Sequence, residues 1–307
     1  MFPAGYRIGH STDSVRRTGC TVILPPAGTV GAVDVRGGAP GTRETGIFTP
    51  GNLVSEIHAV VFSGGSALGL AATTGVSLWL RDRGVGYAIG AARVPIVAGA
   101  VLFDLAVGDA GAFPDEAMGR AACDAARGPD PESGAVGAGS GAMVGKILGI
   151  ERASRGGVGL AAQELPGGGR VAALAAVNAF GDVVDPATGR VLAGPGAGGG
   201  GFATERALRE DRLSESPLAA AHTTLVCVAS SVPFDAGALR RVAIEAHDGI
   251  ARAVRPAHTV VDGDVVFALA PAGEAPDVLT RLRVGAAAAH ATARAIVAAV
   301  SSPGGAR

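Results

Sequence analysis

The segment His222-Thr-Thr-Leu-Val-Cys-Val-Ala-Ser230 constrains the fold most strongly, because apolar and β-branched residues follow one another with almost no interruption. Such a short apolar run predicts a strand buried inside a layered α/β domain. The first residues of this strand carry hydroxyl groups. A threonine hydroxyl is a poor nucleophile at neutral pH unless a neighbouring base, or a free α-amine on the same residue, accepts its proton.

Thr223 has no free amine while it is peptide-bonded to His222. An α-amine has an ordinary pKa of about 7.7 to 8, so part of it is neutral at pH 7 and can act as a base. The nucleophile hypothesis therefore requires the chain to cut itself between His222 and Thr223. These residues alone leave a second interpretation open, because two threonines at the start of a strand are also ordinary β-propensity.

Six segments in a fixed order carry a resemblance to a known family. They are RGGAPGTRET (36–45), NLVSEIHA (52–59), SGGSALG (63–69), VGAGSG (136–141), VNA (177–179) and DGD (262–264). With them the sequence resembles the P1 family of peptidases, the L-aminopeptidase/D-esterase group that includes the β-peptidyl aminopeptidases. The resemblance implies a four-layer αββα sandwich of the N-terminal-nucleophile type and self-cleavage before a Ser or Thr. It also implies release of N-terminal residues from short peptides, amides or esters, by a homo-oligomer of processed protomers.

The same resemblance assigns roles to three further residues. Asn178 matches the residue whose side-chain amide stabilises the oxyanion, although a buried Asn is by itself more often a structural hydrogen bonder. Asp262 and Asp264 match the positions that orient the nucleophile and its amine. In a predicted strand over 259–269 their spacing places both carboxylates on one face, where the ammonium of a freed Thr223 would offset their repulsion. Other members carry Ser at the position of Asp262.

Composition excludes several other classes of function. A net charge of −1 and 17% charged residues argue against a nucleic-acid partner, which requires clustered Lys and Arg. Cys20, Cys123 and Cys227 are odd in number and widely spaced, which predicts buried thiols in a reducing compartment. The first ten residues do not have the pattern of a secretory signal, so a cytoplasmic location is expected. The apolar stretch 58–80 is divided by glycines into a strand and a helix, and no membrane span is predicted.

No cofactor or metal site is predicted. His247 and His258 lie eleven residues apart (258 − 247) without a third ligand nearby, so both are interpreted as structural histidines. The segment 137–146 lacks the glycine spacing of a phosphate-binding loop and is interpreted as a Gly-rich turn that opens a helix.

Further helices are expected at about 66–81, 114–126, 235–255 and 275–300, with a short one inside 204–217. The turn Asp185–Gly189 predicts a hairpin that leads into residues 190–193.

The sequence therefore predicts one domain over 1–307 that cuts itself into residues 1–222 and 223–307. The predicted activity is that of an N-terminal-nucleophile aminopeptidase acting through an acyl-enzyme on Thr223. One alternative is an acyltransferase of the ornithine acetyltransferase kind, which hydrolysis without an added amine acceptor would disfavour. Another is an uncleaved binding or scaffold protein, an alternative kept open by His222, which stands where the family usually has Asn or Gly.

Overall fold

A computed structural model describes residues 1–49, 51–197, 201–211 and 221–301 of the chain. The strands are β1 (Arg7–Asp13), β2 (Thr18–Leu24), β3 (Thr29–Val35), β4 (Thr42–Arg43), β5 (Ala59–Ser63), β6 (Tyr87–Ile89), β7 (Ala92–Val94), β8 (Val97–Val101), β9 (Met143–Val144), β10 (Ser154–Arg155), β11 (Gly157–Glu164), β12 (Arg170–Asn178), β13 (Asp182–Val184), β14 (Val191–Ala193), β15 (Thr223–Ser230), β16 (Val254–Arg255) and β17 (Val265–Pro271). The α-helices are α1 (Ala71–Arg81), α2 (Glu116–Ala125), α3 (Ala203–Arg209), α4 (Ala236–Ala253) and α5 (Val278–Ser301).

Two five-stranded sheets form the middle of the molecule. The first has the strand order β1-β2-β5-β8-β4 and the second the order β11-β12-β15-β17-β3. Helices α1 and α2 cover the outer face of the first sheet, and α4 and α5 cover the outer face of the second. A shared apolar core that includes Phe62, Leu174, Leu225 and Phe267 fills the space between the sheets. The fold is therefore the four-layer αββα sandwich that the family resemblance implied.

Strand β15 is the third of the five strands of its sheet, and all of its residues are buried. Leu225 and Cys227 face the other sheet, whereas Val226 and Val228 face the helices. Because side chains alternate along a strand, Thr223 faces the space between the sheets and Thr224 faces the helix layer. The expectation of a buried strand at 223–230 is confirmed.

Helix boundaries follow local capping chemistry. Asp115 accepts a hydrogen bond from the Met118 N–H, and Asp235 accepts one from the Ala238 N–H, each at 2.9 Å. A side-chain oxygen before the first helical turn satisfies a backbone donor that has no partner within the helix. These two caps begin α2 and α4 within two residues of the predicted positions.

The long helix α5 is apolar enough over its length to span a membrane, but 67% of its most apolar stretch is buried inside the protein. It packs against β11, β12 and α4, which makes it a core helix. The three cysteines are free and buried, as expected.

Some expected elements differ from the structure. The helix expected after the Gly-rich turn at 137–146 is wrong: two short 3-10 helices, 137–139 and 146–148, flank β9 there. The strand expected from Thr259 begins only at Val265, because backbone and side-chain bonds hold 259–264 in a loop. The expected helix at 66–81 is a 3-10 turn over 66–70 followed by α1. The helix expected inside 204–217 is α3, which ends at Arg209, and residues 212–220 lie outside the described part.

Strands β2 and β3 surround the Pro25–Pro26 turn but belong to different sheets, so this turn carries the chain from one layer to the next. The turn at 185–189 joins β13 and β14 in the expected hairpin, where the Asp185 N–H donates to the Arg190 carbonyl at 2.9 Å. This hairpin belongs to a separate three-stranded sheet with β16.

Candidate active site

Three strand ends of the second sheet meet at one edge of the molecule. Strand β12 runs antiparallel to β15 and pairs Asn178 with Thr223, whereas β17 runs parallel to β15 and pairs Val265 with Leu225. The end of β12 and the beginnings of β15 and β17 are therefore neighbours. This topology brings together Thr223, Asn178 and the Asp262–Asp264 loop, which lie far apart in the sequence.

The Thr223 hydroxyl lies against the peptide group that precedes it. Thr223 is 4% exposed, and its Oγ1 donates to the carbonyl oxygen of His222 at 2.5 Å. The same carbonyl oxygen accepts the Gly263 N–H at 2.8 Å. A hydroxyl nucleophile and a donor on the carbonyl oxygen thus flank a single peptide bond, His222-Thr223, which is the arrangement needed to attack that bond and stabilise the resulting negative charge.

Gly263 has a steric role as well. A Cβ atom on this residue would lie 2.8 Å from Thr223 Oγ1 and 2.9 Å from the carbonyl oxygen of Ala39. Those distances are too short for carbon beside oxygen, so only glycine leaves space for the hydroxyl. The N–H of Ala39 holds the loop through a 2.8 Å bond to the Asp262 carbonyl oxygen.

The Asn178 side chain is buried, and both its amide oxygen and its amide nitrogen form hydrogen bonds. Its Nδ2 donates to the carbonyl oxygens of Phe103 and Ala221, each at 3.0 Å. Its Oδ1 accepts the Met143 N–H at 2.9 Å and Lys146 Nζ at 2.8 Å. One of the two Nδ2 hydrogens is therefore engaged by the segment that precedes Thr223, and departure of that segment would release this donor.

Lys146 is the single lysine of the chain, and sequence reasoning did not include it in the site. Its Nζ also donates to the backbone carbonyls of Met143 and Asn178, each at 3.1 Å. Burial lowers the pKa of this amine to about 7, against the opposing attraction of Asp262 and Asp104. The site therefore contains an amine that is partly neutral at physiological pH. The one available signal was that a lysine followed a Gly-rich turn in a chain that otherwise uses arginine.

Asp264 binds the backbone beside the nucleophile. Its Oδ1 accepts the Thr224 N–H at 2.7 Å, and its Oδ2 accepts the backbone N–H of His258 at 3.0 Å. His258 Nδ1 lies 2.8 Å from the same Oδ2. Burial alone would lower the pKa of His258, but the hydrogen bond and charge of Asp264 raise it above its ordinary value. The expected proximity of Asp264 to the nucleophile is present, and His258 is an additional partner that sequence reasoning did not assign.

The two histidines expected to be structural lie side by side. The rings of His247 and His258 meet edge to face with their centroids 4.7 Å apart, and His247 Nε2 contacts the Asp34 carbonyl oxygen at 3.0 Å. Burial lowers the pKa of His247 to about 4, so it is neutral at physiological pH. In the described part of the chain, no group of three or more His, Cys, Asp or Glu residues is arranged to hold a metal ion.

Asp262 forms a parallel bridge with His222, the residue before the nucleophile, and its side chain has different partners from that of Asp264. Its Oδ2 accepts the Thr259 N–H at 2.9 Å and the Thr259 hydroxyl at 2.6 Å, and its Oδ1 lies 3.4 Å from the Phe180 N–H. Burial and the neighbouring Asp264 raise its pKa to about 6. The structure therefore brings Asp262 into the site, where its hydrogen bonds fix the loop that carries Gly263.

A further carboxylate, Asp104, follows β8 in the first sheet. Its Oδ1 accepts the Gly65 N–H at 2.7 Å, and the Thr18 hydroxyl lies beside the same carboxyl. Burial raises the pKa of this carboxyl above its ordinary value. The preceding residue, Phe103, is the one whose carbonyl accepts Asn178 Nδ2, so the first sheet also contributes to this edge of the molecule.

Comparison of the sequence with known proteins shows which family the chain belongs to. The sequence profile described as Peptidase family S58 matches residues 4–304. An uncharacterized aminopeptidase of Mycobacterium tuberculosis is 44% identical over 322 residues, covering 96% of this chain and 91% of the relative. A 6-aminohexanoate-oligomer endohydrolase of Kocuria sp. is 32% identical over 278 residues, covering 87% of this chain and 73% of the relative.

Solved structures share the fold. The L-aminopeptidase D-Ala-esterase/amidase of Ochrobactrum anthropi, described as a variant of the N-terminal-nucleophile hydrolase fold, superposes with a TM-score of 0.75 at 19% identity, covering 98% of this chain and 87% of that one. A β-aminopeptidase of Burkholderia sp. gives 0.72 at 22% identity, covering 99% and 88%. Given a profile match over nearly its whole length and relatives above 40% identity, the chain belongs to peptidase family S58, of which P1 is an older name, and is a hydrolase of the peptidase type.

Proposed function

We propose that the protein is a self-processing aminopeptidase whose nucleophile is Thr223. The observation that carries this proposal is the contact between Thr223 Oγ1 and the His222 carbonyl, whose oxygen also accepts the Gly263 N–H. The hydroxyl already lies against the bond that must break to give Thr223 a free amine.

Self-cleavage begins when Thr223 Oγ1 attacks the carbonyl carbon of His222. A C–O bond forms, the C–N bond to Thr223 breaks, and the hydroxyl proton ends on the new Thr223 amine. Gly263 donates to the oxygen that becomes negatively charged during this step. Water then hydrolyses the ester, which leaves a carboxyl group on His222 and restores the Thr223 hydroxyl. The products are the pieces 1–222 and 223–307 of one domain.

After cleavage the Thr223 amine serves as the base for substrate. It accepts the hydroxyl proton while Oγ1 attacks the substrate carbonyl, and it then gives that proton to the leaving amine. Water then hydrolyses the ester on Oγ1, which releases the acyl residue as a carboxylic acid and restores the hydroxyl. Asp264 holds the backbone next to this amine, and Asp262 fixes the loop of Gly263. The Asn178 donor that Ala221 occupied becomes free, and together with the Gly263 N–H it binds the substrate oxyanion; one such donor contributes about 3 to 4 kcal/mol to transition-state stabilisation.

The substrate class is a short peptide, an amino-acid amide or an ester. The names of the aminopeptidase and oligomer-endohydrolase relatives both denote cleavage of amide bonds, which supports this class. An aminopeptidase must also bind the ammonium group of its substrate, and the buried carboxyl of Asp104 is our candidate for that contact. By family resemblance, we propose a homo-oligomer of processed protomers.

Intact-mass measurement of the purified protein under denaturing conditions tests the proposal. The wild-type chain should resolve into pieces with the masses of residues 1–222 and 223–307. Thr223→Ala should remain one chain without activity, and Thr223→Ser should cleave and keep some activity. Thr224→Ala is the matched control and should cleave, because that side chain faces the helix layer and its hydroxyl makes no hydrogen bond within the described residues. Full activity of an uncut wild-type chain would exclude Thr223 as an N-terminal nucleophile.

A further inference from the structure

The side chain of His222 is enclosed beside the nucleophile, and we call the space that it fills the His222 pocket. Its ring is buried and meets the Phe180 ring edge to face, with the centroids 4.9 Å apart. Phe180 packs with Ile147 and Ala207 in a small apolar cluster. His222 Nδ1 is buried without a hydrogen-bond partner in the described part of the chain. The pocket therefore holds this ring by shape and apolar contact.

The ester formed during self-cleavage has the same chemistry as a catalytic acyl-enzyme. In the first, residue 222 is the acyl group on Thr223 Oγ1; in the second, the substrate residue takes that place. During the acyl shift the carbonyl carbon of residue 222 moves only from the nitrogen to the hydroxyl oxygen of one residue. The side chain of residue 222 consequently stays between the same walls.

We infer that the His222 pocket is the subsite for the acyl residue of the substrate and that it selects L-amino acids with a flat, uncharged ring. This inference rests on the proposed function. The L configuration follows from residue 222 itself, and the preference for a ring follows from the edge of Phe180, because aromatic pairs gain from this geometry beyond simple burial.

Lys146 determines which charges on a substrate side chain the His222 pocket accepts. Burial, together with the nearby Lys146 cation, lowers the pKa of the His222 imidazole to about 3, so the ring is neutral. A lysine or arginine side chain in this place would be a desolvated cation, and the protonated fraction of Lys146 would repel it further. An acidic side chain gains little from Lys146, since Lys146 Nζ already makes three hydrogen bonds to Met143 and Asn178 oxygens, and it would still be desolvated.

The first test uses the self-processed protein with the amides of L-phenylalanine, L-histidine, L-alanine, L-lysine and L-glutamate as probes. The kcat/KM for the phenylalanine and histidine amides should exceed that for the other three by about tenfold or more. Phe180→Leu should reduce this preference by about tenfold relative to alanine amide. Phe48→Leu is the matched control, because Phe48 is equally buried but packs beside Gly31 and Phe267, away from Thr223.

The second test follows self-cleavage by intact mass in chains altered at residue 222, and it does not depend on how Phe180→Leu folds. His222→Phe should cleave at a rate close to wild type, whereas His222→Glu and His222→Lys should cleave about tenfold or more slowly. The side chains should rank in the same order by kcat/KM in the first test and by the rate of self-cleavage in the second. A preference for alanine or charged amides, or two orders that disagree, would refute the pocket assignment while leaving the Thr223 mechanism intact. Absence of any Thr223-dependent hydrolysis would instead refute the proposed function and this inference with it.

Discussion

Lys146 Nζ donates a hydrogen bond to Asn178 Oδ1 at 2.8 Å, and this contact determines which way the Asn178 amide points. With Oδ1 engaged by Lys146 and by the Met143 N–H, the two Nδ2 hydrogens must point to Phe103 and Ala221. The lysine thus orients the donor that we assign to the oxyanion.

Lys146→Met should slow self-cleavage and lower kcat by about tenfold or more, because the Asn178 amide loses the partner that fixes its orientation. Intact mass and steady-state kinetics measure the two effects. Arg152→Met, a change at an exposed basic residue six positions further along, is the control and should leave both rates unchanged. Equal rates for Lys146→Met and wild type would contradict the positioning role.

Lys146 should also affect how stability depends on pH. Its pKa is about 7 in the folded protein and about 10.5 when unfolded, so the unfolded chain binds more protons between these values. The free energy of unfolding should therefore rise with pH across that window, and Lys146→Met should remove this rise. Urea unfolding of Thr223→Ala and of Thr223→Ala/Lys146→Met at pH 7, 8 and 9 makes the comparison on uncut chains.

Asn178→Asp should lower kcat by roughly 100-fold or more, because it replaces the Nδ2 donor by an acceptor but keeps an oxygen for Met143 and Lys146. Asn178→Ala should lower activity and also destabilise the fold by about 1 to 3 kcal/mol, since buried partners are left without hydrogen bonds. Kinetics and urea unfolding of both variants separate the two effects. Near wild-type kcat in a correctly cleaved Asn178→Asp protein would argue that the oxyanion donor is another group.

Gly263→Ala should prevent self-cleavage, because the added Cβ would occupy the space beside Thr223 Oγ1. The product should be a single chain on denaturing analysis, with a near-native circular dichroism spectrum. Gly128→Ala controls for the substitution itself, since a Cβ at Gly128 meets nothing within 4 Å, and it should cleave normally. Efficient cleavage of Gly263→Ala would show that the hydroxyl does not need this space.

His258 should stabilise the fold most at acidic pH. Its pKa is raised in the folded protein by Asp264, so its contribution is fully present below its unfolded pKa of about 6.5 and is lost as the pH rises through the folded value. In the Thr223→Ala background, His258→Gln should reduce the free energy of unfolding by about 1.5 to 3 kcal/mol at pH 6, and by less at pH 9. His290→Gln, on the exposed face of α5, controls for the loss of a histidine. A destabilisation that does not change with pH would mean that the His258–Asp264 contact is not an ion pair.

Local sequence was sufficient for the elements whose signal lies within one segment. The apolar run after Thr223 predicts a buried strand because a short, nearly uninterrupted run of apolar and β-branched residues is typical of a strand covered on both faces. The helix expected from Asp235 begins there because its side chain satisfies a backbone donor within its own turn. Alternation along β15 also determines that Thr223 and Thr224 face opposite sides. Asn178, Asp262 and Asp264 entered the site through resemblance, and the structure brings all three to the start of β15.

Tertiary structure alone decided the contacts that make these residues a site. The pairing of Asn178 with Thr223 depends on the register of two strands separated by more than 40 residues, and no local pattern specifies that register. His258 gave no local signal, and Lys146 gave only its place after a Gly-rich turn, because their function depends on Asn178 and Asp264, which reach them only when the sheet has formed. Burial then sets the charge states of these groups: a lysine near pKa 7 and a carboxyl near pKa 6 exist only where folding has removed water.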